Sequence, residues 1–269
     1  MRPDVESCVT SFASAAPYYA RFRPPYPDAL FTLLRDRFFL DGTQHVLDLG
    51  CGPGTIAIPL APFAAVVHAV DSEPAMLAEG IRLAAASRTA NVAWQVADAA
   101  ELPTLGLPPI SVATLGKSFN RMDLRRLLAD LDRLILPQGG VVFVSTVSAS
   151  EPPPWLPVIE DVAASHLGAD YRNPQGVSVG RAGALRDQMG ASAFGSVYTV
   201  LLDQPVQFTL EELIGFQLSL SYTSPAVLGA RQDAFTADLR TALAGLDTSG
   251  VFRDARQVEC MIAVRRVRA

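Results

Sequence analysis

Lysine is almost absent from this 269-residue chain: of its 22 basic residues, all but Lys117 are arginine. A GC-rich coding bias accounts for most of that deficit, yet such a bias makes the one retained ammonium a position to watch. Positive charge as a whole is short, with 22 Lys and Arg against 27 Asp and Glu and a formal net charge of −5. A phosphate backbone needs a concentrated basic footprint, and the only dense basic cluster is the tail Arg265-Arg266-Val267-Arg268. Nucleic acid is therefore not an expected partner. Cysteine is scarce too. Cys8, Cys51 and Cys260 are odd in number and lack metal-ligand spacing, which suits a reducing cytoplasm and argues against a disulfide framework or a metal centre. The longest apolar tract, Ile56 to Val70, is broken by Pro59 and Pro62 and falls short of a membrane span. Asp4 and Glu6 stand where the apolar core of a secretory signal would start, which adds to the cytoplasmic expectation.

What the chain does have is apolar material, 49% of its residues, arranged from about residue 45 as short runs alternating with helical stretches. That alternation predicts an α/β fold, a doubly wound and mostly parallel sheet with crossover helices. Strands are expected at 45–49, 66–70, 92–96, 110–115 and 140–147, with helices at 28–39, 54–63, 73–87 and 121–135. After a proline-rich link at 148–154, the pattern gives a helix at 155–168, a loop through 192 and a strand at 197–208. Helices at 210–220 and 226–245 and a last strand at 255–265 complete it. The domain reading is an N-terminal strap and helix at 1–40, a binding core at 41–148, and a helical lid with C-terminal strands of the same domain at 149–269.

The densest signal is Val46-Leu47-Asp48-Leu49-Gly50-Cys51-Gly52-Pro53-Gly54, a buried strand breaking into a glycine turn. Without Cβ atoms, Gly50, Gly52 and Gly54 let a ligand lie against main-chain N–H groups. A glycine run alone also fits a turn that serves only packing. Two acidic positions shift the weight. Asp71 ends the second predicted strand, where a carboxylate can accept both hydroxyls of a ribose. Asp98 ends the third, placed to receive an adenine amino group while Ala99 offers its backbone N–H. A nicotinamide dinucleotide fits less well, because Thr55 replaces the third glycine of that fingerprint and Pro53 lacks an amide for the pyrophosphate.

Residues 46–54, Asp71 and Asp98 together resemble the three cofactor motifs of class I S-adenosylmethionine-dependent methyltransferases. The segments Tyr18–Pro27, Gly116–Asp123 and Ser224–Gly229 are similar to those of a bacterial small-molecule subgroup. The resemblance thus covers most of the chain, and it implies a seven-stranded Rossmann-like sheet and S-adenosyl-L-methionine as the cofactor. The cofactor residues it implies are Tyr19, Arg23, Asp48, Gly50, Cys51, Gly52, Gly54, Asp71, Ser72, Met76, Asp98, Ala99 and Leu115. In this reading Arg23 pairs with the methionyl carboxylate, Tyr19 walls the acceptor pocket, and Asp48 orients the glycine loop and the methionyl amino group.

The acceptor side departs from the subgroup. Where relatives carry Ser-Phe-His-Trp-Met-Asp, this chain has Ser118-Phe119-Asn120-Arg121-Met122-Asp123. Lys117, Asn120 and Arg121 become the candidate catalytic residues, with the two cations suited to a carboxylate, sulfate or phosphate. Both also read as ordinary surface charges. His45 and His68 fall in strands, where a satisfied core histidine is the commoner case; His166, on the helix after Trp155, is the one histidine placed to reach a substrate. The Asn/Asp-Pro-Pro-Tyr type of motif used on amino groups and nucleic-acid bases is replaced by Thr114-Leu115-Gly116-Lys117.

The expectation is methyl transfer to a small, anionic metabolite of secondary metabolism, by direct in-line displacement and without a metal. A non-methylating step such as cyclisation, and a non-catalytic cofactor- or partner-binding subunit, stay open, as do a homodimer and a small partner protein.

Overall fold

A computed structural model describes residues 5–148, 151–168 and 178–266. Helices α1 (Val5–Phe22) and α2 (Asp28–Phe38) precede the first strand. Seven strands follow: β1 (His45–Leu49), β2 (Val66–Asp71), β3 (Val92–Val96), β4 (Ile110–Gly116), β5 (Ile135–Ser148), β6 (Ser196–Thr209) and β7 (Val251–Val264). They form one sheet in the order β3-β2-β1-β4-β5-β7-β6. The first five pair in parallel, and the sheet as a whole is mixed, the α/β Rossmann-like arrangement expected from the sequence. Strand order reverses at β1, which lies between β2 and β4. In open sheets of this kind ligands bind beyond the strand carboxyl ends at that point.

The crossover helices are α3 (Ala57–Leu60), α4 (Pro74–Ala86) and α5 (Leu124–Leu134). Helix α5 shows why such segments dock. Leu127, Leu128 and Leu131 fall on one face and are buried, while the Asp123 carboxylate caps the helix by accepting from the Arg126 amide at 3.2 Å. Later come α6 (Trp155–Leu167), α7 (Ser178–Gly190), α8 (Leu210–Leu218), α9 (Pro225–Leu228) and α10 (Gln232–Leu246).

Three expectations are corrected. Pro24, Pro25 and Pro27 favour an extended segment on sequence grounds; the structure instead keeps Tyr18 and Tyr19 helical in α1 and confines extended backbone to 24–27, because a proline restricts only itself and its predecessor. The helix expected at 54–63 shrinks to α3 and a 3₁₀ turn at Ala61–Phe63, since Gly52 and Gly54 adopt φ of 55° and 78° and cannot join a helix. The loop expected through 192 contains α7, whose glycines lower helix propensity but whose Leu185 and Met189, four apart, are both buried.

By contacts the chain divides into two compact units. The core unit comprises Pro25–Val147, Val177–Asp203 and Gln257–Ala269; the second comprises Met1–Pro24, Ser148–Gly176 and Gln204–Arg256. Helices α1 and α2, the span expected as strap and helix at 1–40, thus fall in different units. The core unit holds apolar clusters on either side of the sheet strands, one with Leu30, Leu34, Val46 and Val67, the other with Leu47, Leu115, Leu131 and Phe143. The second unit packs Trp155, Phe208, Phe216, Phe235 and Phe252 into a core of its own. Among the described residues no helix is long and apolar enough to cross a membrane.

Candidate functional site

The glycine loop leaves β1 in a left-handed run, with φ of 67°, 55° and 78° at Gly50, Gly52 and Gly54. Close packing requires Gly50 and Gly54, and Gly52 differs from them. A Cβ on Gly50 would stand 2.3 Å from the Ser118 Cβ, and one on Gly54 would stand 2.5 Å from the Trp94 ring. The same indole presses on Gly80 of α4, where a Cβ would meet it at 2.6 Å. Gly52 has nothing within 4 Å of its Cβ position. Its bare face borders open space, so a ligand can approach the main chain there.

Two carboxylates hold this loop from behind. Asp71 Oδ2 accepts from the Gly52 amide at 2.8 Å and Oδ1 accepts from the Glu73 amide at 2.9 Å. Asp48 is fully enclosed; its Oδ2 accepts from the Ala57 amide at 3.1 Å and its Oδ1 from the Thr114 hydroxyl at 2.8 Å. Burial pushes the Asp48 carboxyl up to about 7, against those hydrogen bonds and with the Asp71 charge adding to the rise. Burial also raises Asp71, opposed by amides of Glu73, Gly52 and Ser72 and by the Arg121 charge. Cys51 is buried and its thiol is pushed well above its ordinary value by burial and by the two aspartates. A protonated thiol is a poor nucleophile, which leaves Cys51 a packing role in the loop.

At the end of β3, Asp98 caps the 3₁₀ turn Ala99–Thr104: its Oδ1 accepts from the Ala100 amide at 2.8 Å, and its own amide donates to Glu101 Oε2 at 2.8 Å. Asp98 is exposed and Ala99 half-buried beside it. Ser72 is exposed, while Met76 on α4 is buried. The Leu115 side chain is wholly enclosed in the core, so only its backbone is available to a ligand.

Lys117, Asn120 and Arg121 sit together on the loop between β4 and α5, all three exposed. Lys117 adopts φ 57°, a left-handed conformation that costs a side-chain-bearing residue energy. Its amide donates to the Val144 carbonyl at 2.9 Å, and its ammonium stands 5.8 Å from the centre of the Tyr26 ring. Ser118 joins this loop to the glycine loop, donating its hydroxyl to the Leu49 carbonyl at 2.8 Å while its Cβ fills the space above Gly50. Arg121 lies close enough to Asp71 for its charge to stabilise the carboxylate.

Tyr19, Arg23 and His166 belong to the second unit. The Arg23 guanidinium stacks on Tyr19 at 4.6 Å and on Phe216 at 5.2 Å, and donates to the Ser219 carbonyl at 3.1 Å. His166 Nε2 lies 2.8 Å from Asp238 Oδ2, with its ring edge-on to Phe235, the geometry of a clasp joining α6 to α10. His45 and His68 contact each other, ring nitrogens 3.0 Å apart. Of the aromatics in the C-terminal half that could line a pocket or pack the expected lid, Trp155 and Phe216 are buried and Tyr222 packs against their cluster; Tyr171 lies outside the described residues.

The sequence reading missed Thr114, Ser118 and Glu73. Thr114 partners Asp48 only because β4 pairs with β1 in a register that sets the two side by side. No local signal carries that. Glu73 had one, since an acidic residue before a proline at a helix start is a recognisable cap, and its carboxylate accepts from the Ala75 amide at 3.0 Å.

The profile of a family described as methyltransferase domain matches residues 46–139, the span from β1 to the first half of β5. Over 113 residues, 40% of the chain, the sequence is 36% identical to an uncharacterized methyltransferase of Mycobacterium bovis and to one of Mycobacterium tuberculosis. That match spans 54% of each relative, about half its length. Among solved structures, a protein assigned as a type II methyltransferase of Anaeromyxobacter dehalogenans superposes with a TM-score of 0.60 at 23% identity, covering 91% of this chain and 98% of that one. A SAM-dependent methyltransferase of Thiobacillus denitrificans in complex with S-adenosyl-L-homocysteine gives 0.52 at 16%, covering 95% and 98%. The cyclase SpnF gives 0.56 at 17%, covering 98% and 96%. At these identities the structural likenesses speak for the fold.

Proposed function

We propose that this protein is a class I S-adenosylmethionine-dependent methyltransferase acting on a small, anionic metabolite of secondary metabolism, a reading supported by the match of residues 46–139 to a methyltransferase-domain profile. The observation that carries the reading is the Asp71 carboxylate bonded to Gly52 at 2.8 Å, beside a left-handed glycine whose missing side chain leaves open space. S-adenosylmethionine, the cofactor of this domain class, supplies when bound a sulfonium methyl that needs no further activation.

The chain's own residues bind and position. A carboxylate offers about four lone-pair sites, so Asp71 can hold two backbone amides and still accept from ribose hydroxyls. Asp98 fixes the 3₁₀ turn after β3, with Ala99 at its start, and these two residues would hold the adenine. Asp48 and Thr114 brace the loop between β1 and α3. Lys117 and Arg121 provide two cationic donors for an anionic group of the acceptor, and Asn120 between them a neutral donor and acceptor. Holding a nucleophile in line contributes about 7–11 kcal/mol. For a thiol, amine or enolised carbon an added base is optional.

Calorimetry with S-adenosylmethionine and S-adenosylhomocysteine tests the cofactor assignment. Both are expected to bind, and Asp71→Ala to weaken each about 30-fold or more, as expected for hydrogen bonds to a charged group. Folded protein that binds neither, or an Asp71→Ala variant with unchanged affinity, overturns it. Incubation with methyl-labelled cofactor and candidate acids tests the reaction, and turnover without label in the product would reassign the chain to a non-methylating step such as cyclisation. If no acceptor is turned over while the cofactor binds, a non-catalytic binding subunit becomes the better reading.

A further inference from the structure

The second unit carries a groove that no step above uses. Helices α1, α8 and α10 leave a cavity of about 240 Å³ between them, and every residue lining it belongs to that unit. Each helix contributes one stripe. On α1, Tyr18 and Phe22 stand one turn apart, both half-buried, with ring centres 6.3 Å apart and planes 24° from parallel. On α8, Ile214 and Leu218 form a buried aliphatic floor. On α10, Gln232 and Thr236 line the opposite side, and Arg240 continues their stripe one turn further.

A glycine helps set the aromatic wall, because a Cβ on Gly215, inside α8, would stand 2.5 Å from the Phe22 ring. The lining also defines the ligand it suits. Arg240 Nε and Nη2 donate to the two carboxylate oxygens of Glu211 at 2.9 Å each, so the charges at the groove cancel and none is left to hold an ion. The Thr236 hydroxyl donates to the Asp233 carbonyl at 3.0 Å, which leaves its oxygen as an acceptor. The Gln232 amide nitrogen donates to the Tyr18 hydroxyl at 3.4 Å, and the carbonyl of that amide is a second acceptor. Size narrows the choice further. The cavity falls below the roughly 300–1,000 Å³ of sites for drug-sized ligands, and it is far too small for a protein partner, which buries about 800 Å² on each side.

We propose that this groove binds a small neutral aromatic compound of one or two rings that carries a single N–H or O–H donor. The ring packs against Tyr18 and Phe22 over Ile214 and Leu218, where aromatic contact adds to the area buried, and the donor reaches Thr236 or Gln232. A carboxylate or ammonium is disfavoured, since it would lose water without gaining a free countercharge. The site does not rest on the methyl-transfer reading, because all of its lining residues lie outside the methyltransferase-domain match at 46–139.

Indole, with two rings and one N–H, is therefore the probe. Its binding to the full chain is followed by ligand-observed NMR, with and without saturating S-adenosylhomocysteine, and saturable one-to-one binding is expected in both conditions. 1-Methylindole keeps the rings but loses the donor, and is expected to bind about threefold to tenfold more weakly, the share of one hydrogen bond. Thr236→Phe fills the groove from a half-exposed position and is expected to weaken indole about tenfold or more, because the apolar area the ring buries is lost. If that variant does not fold, Tyr18→Leu takes its place, with a loss of about threefold or more expected from the missing aromatic contact. Folded wild type that does not bind indole saturably, a variant that binds it as tightly as the wild type, or 1-methylindole binding equally well overturns the proposal. Indole displaced by S-adenosylhomocysteine overturns it too, since the probe would then occupy the cofactor's site. S-adenosylhomocysteine failing to bind at all counts against the methyl-transfer reading alone, and the indole titration then stands by itself.

Discussion

The glycine loop and the pair of arginines that share the Phe216 ring, Arg23 and Arg256, are both charged, partly buried sites, and they solve the burial of charge in opposite ways. At the loop, every buried carboxylate oxygen described has a donor: Asp71 takes Gly52 and Glu73, and Asp48 takes Ala57 and Thr114. At the pair, Asp254 is bonded to Arg256, and the Arg23 Nε has no acceptor among the described residues. The first arrangement is complete as a structure and offers a ligand its spare lone pairs and bare backbone. The second leaves one buried donor unmatched among the described residues. The loop should therefore be the site more fragile to changes in shape.

The largest effect on the loop is expected from steric change at its rigid end. Gly50→Ala forces a left-handed conformation on a side-chain-bearing residue and drives a Cβ to within 2.3 Å of Ser118; a loss of about 3 kcal/mol is expected in denaturant unfolding. Gly52→Ala carries the conformational cost alone, about 1 kcal/mol, yet it places a methyl group where the ligand would lie. It should lower cofactor affinity in calorimetry far more than it lowers stability. Equal stability losses in the two variants would break the distinction between a packed glycine and an exposed one.

A smaller effect comes from pH. With its folded pKa raised to about 7, Asp48 favours the folded state at acid pH, and that contribution declines as pH rises from the ordinary carboxylate range through 7. Unfolding of the free protein between pH 5 and pH 8 should show a fall on the order of 2 kcal/mol from this group, absent in Asp48→Asn. Stability rising over the same range in the wild type relative to Asp48→Asn would contradict the assignment. The smallest effect belongs to His166→Ala. It removes a partly exposed clasp to Asp238, costing on the order of 1 kcal/mol in thermal unfolding and leaving methyl transfer unchanged; a large loss of turnover without loss of stability would return His166 to the catalytic group.

Local spacing made much of the core unit legible. β1 and β4 announced themselves because a strand buried on both faces reads as an apolar run, while β2 and the partly exposed β3 were carried by their valines and Trp94; the glycines and Asp71 lie next to such runs in sequence. Two helices escaped. In α1 the dense proline punctuation downstream drew the reading toward an extended segment, although those prolines only end the helix. In α7, glycines masked an apolar spacing that burial rewards. Residues paired across the sheet escaped entirely: Asp48 with Thr114 is separated by 66 positions, and Ser118 from Leu49 by 69.

The sequence by itself determined the α/β alternation, the break of β1 into a glycine turn and the placing of acidic residues at successive strand ends, since each rests on the conformational preferences of neighbouring residues. Tertiary structure decided which glycine faces packing and which faces open space, which threonine raises a hydroxyl to Asp48, and that Arg23 meets Arg256 over one phenylalanine ring. Those outcomes depend on register and on side chains far apart in the chain. Burial, which turns an ordinary aspartate or arginine into a group in need of a partner, arises only once the chain has closed around them.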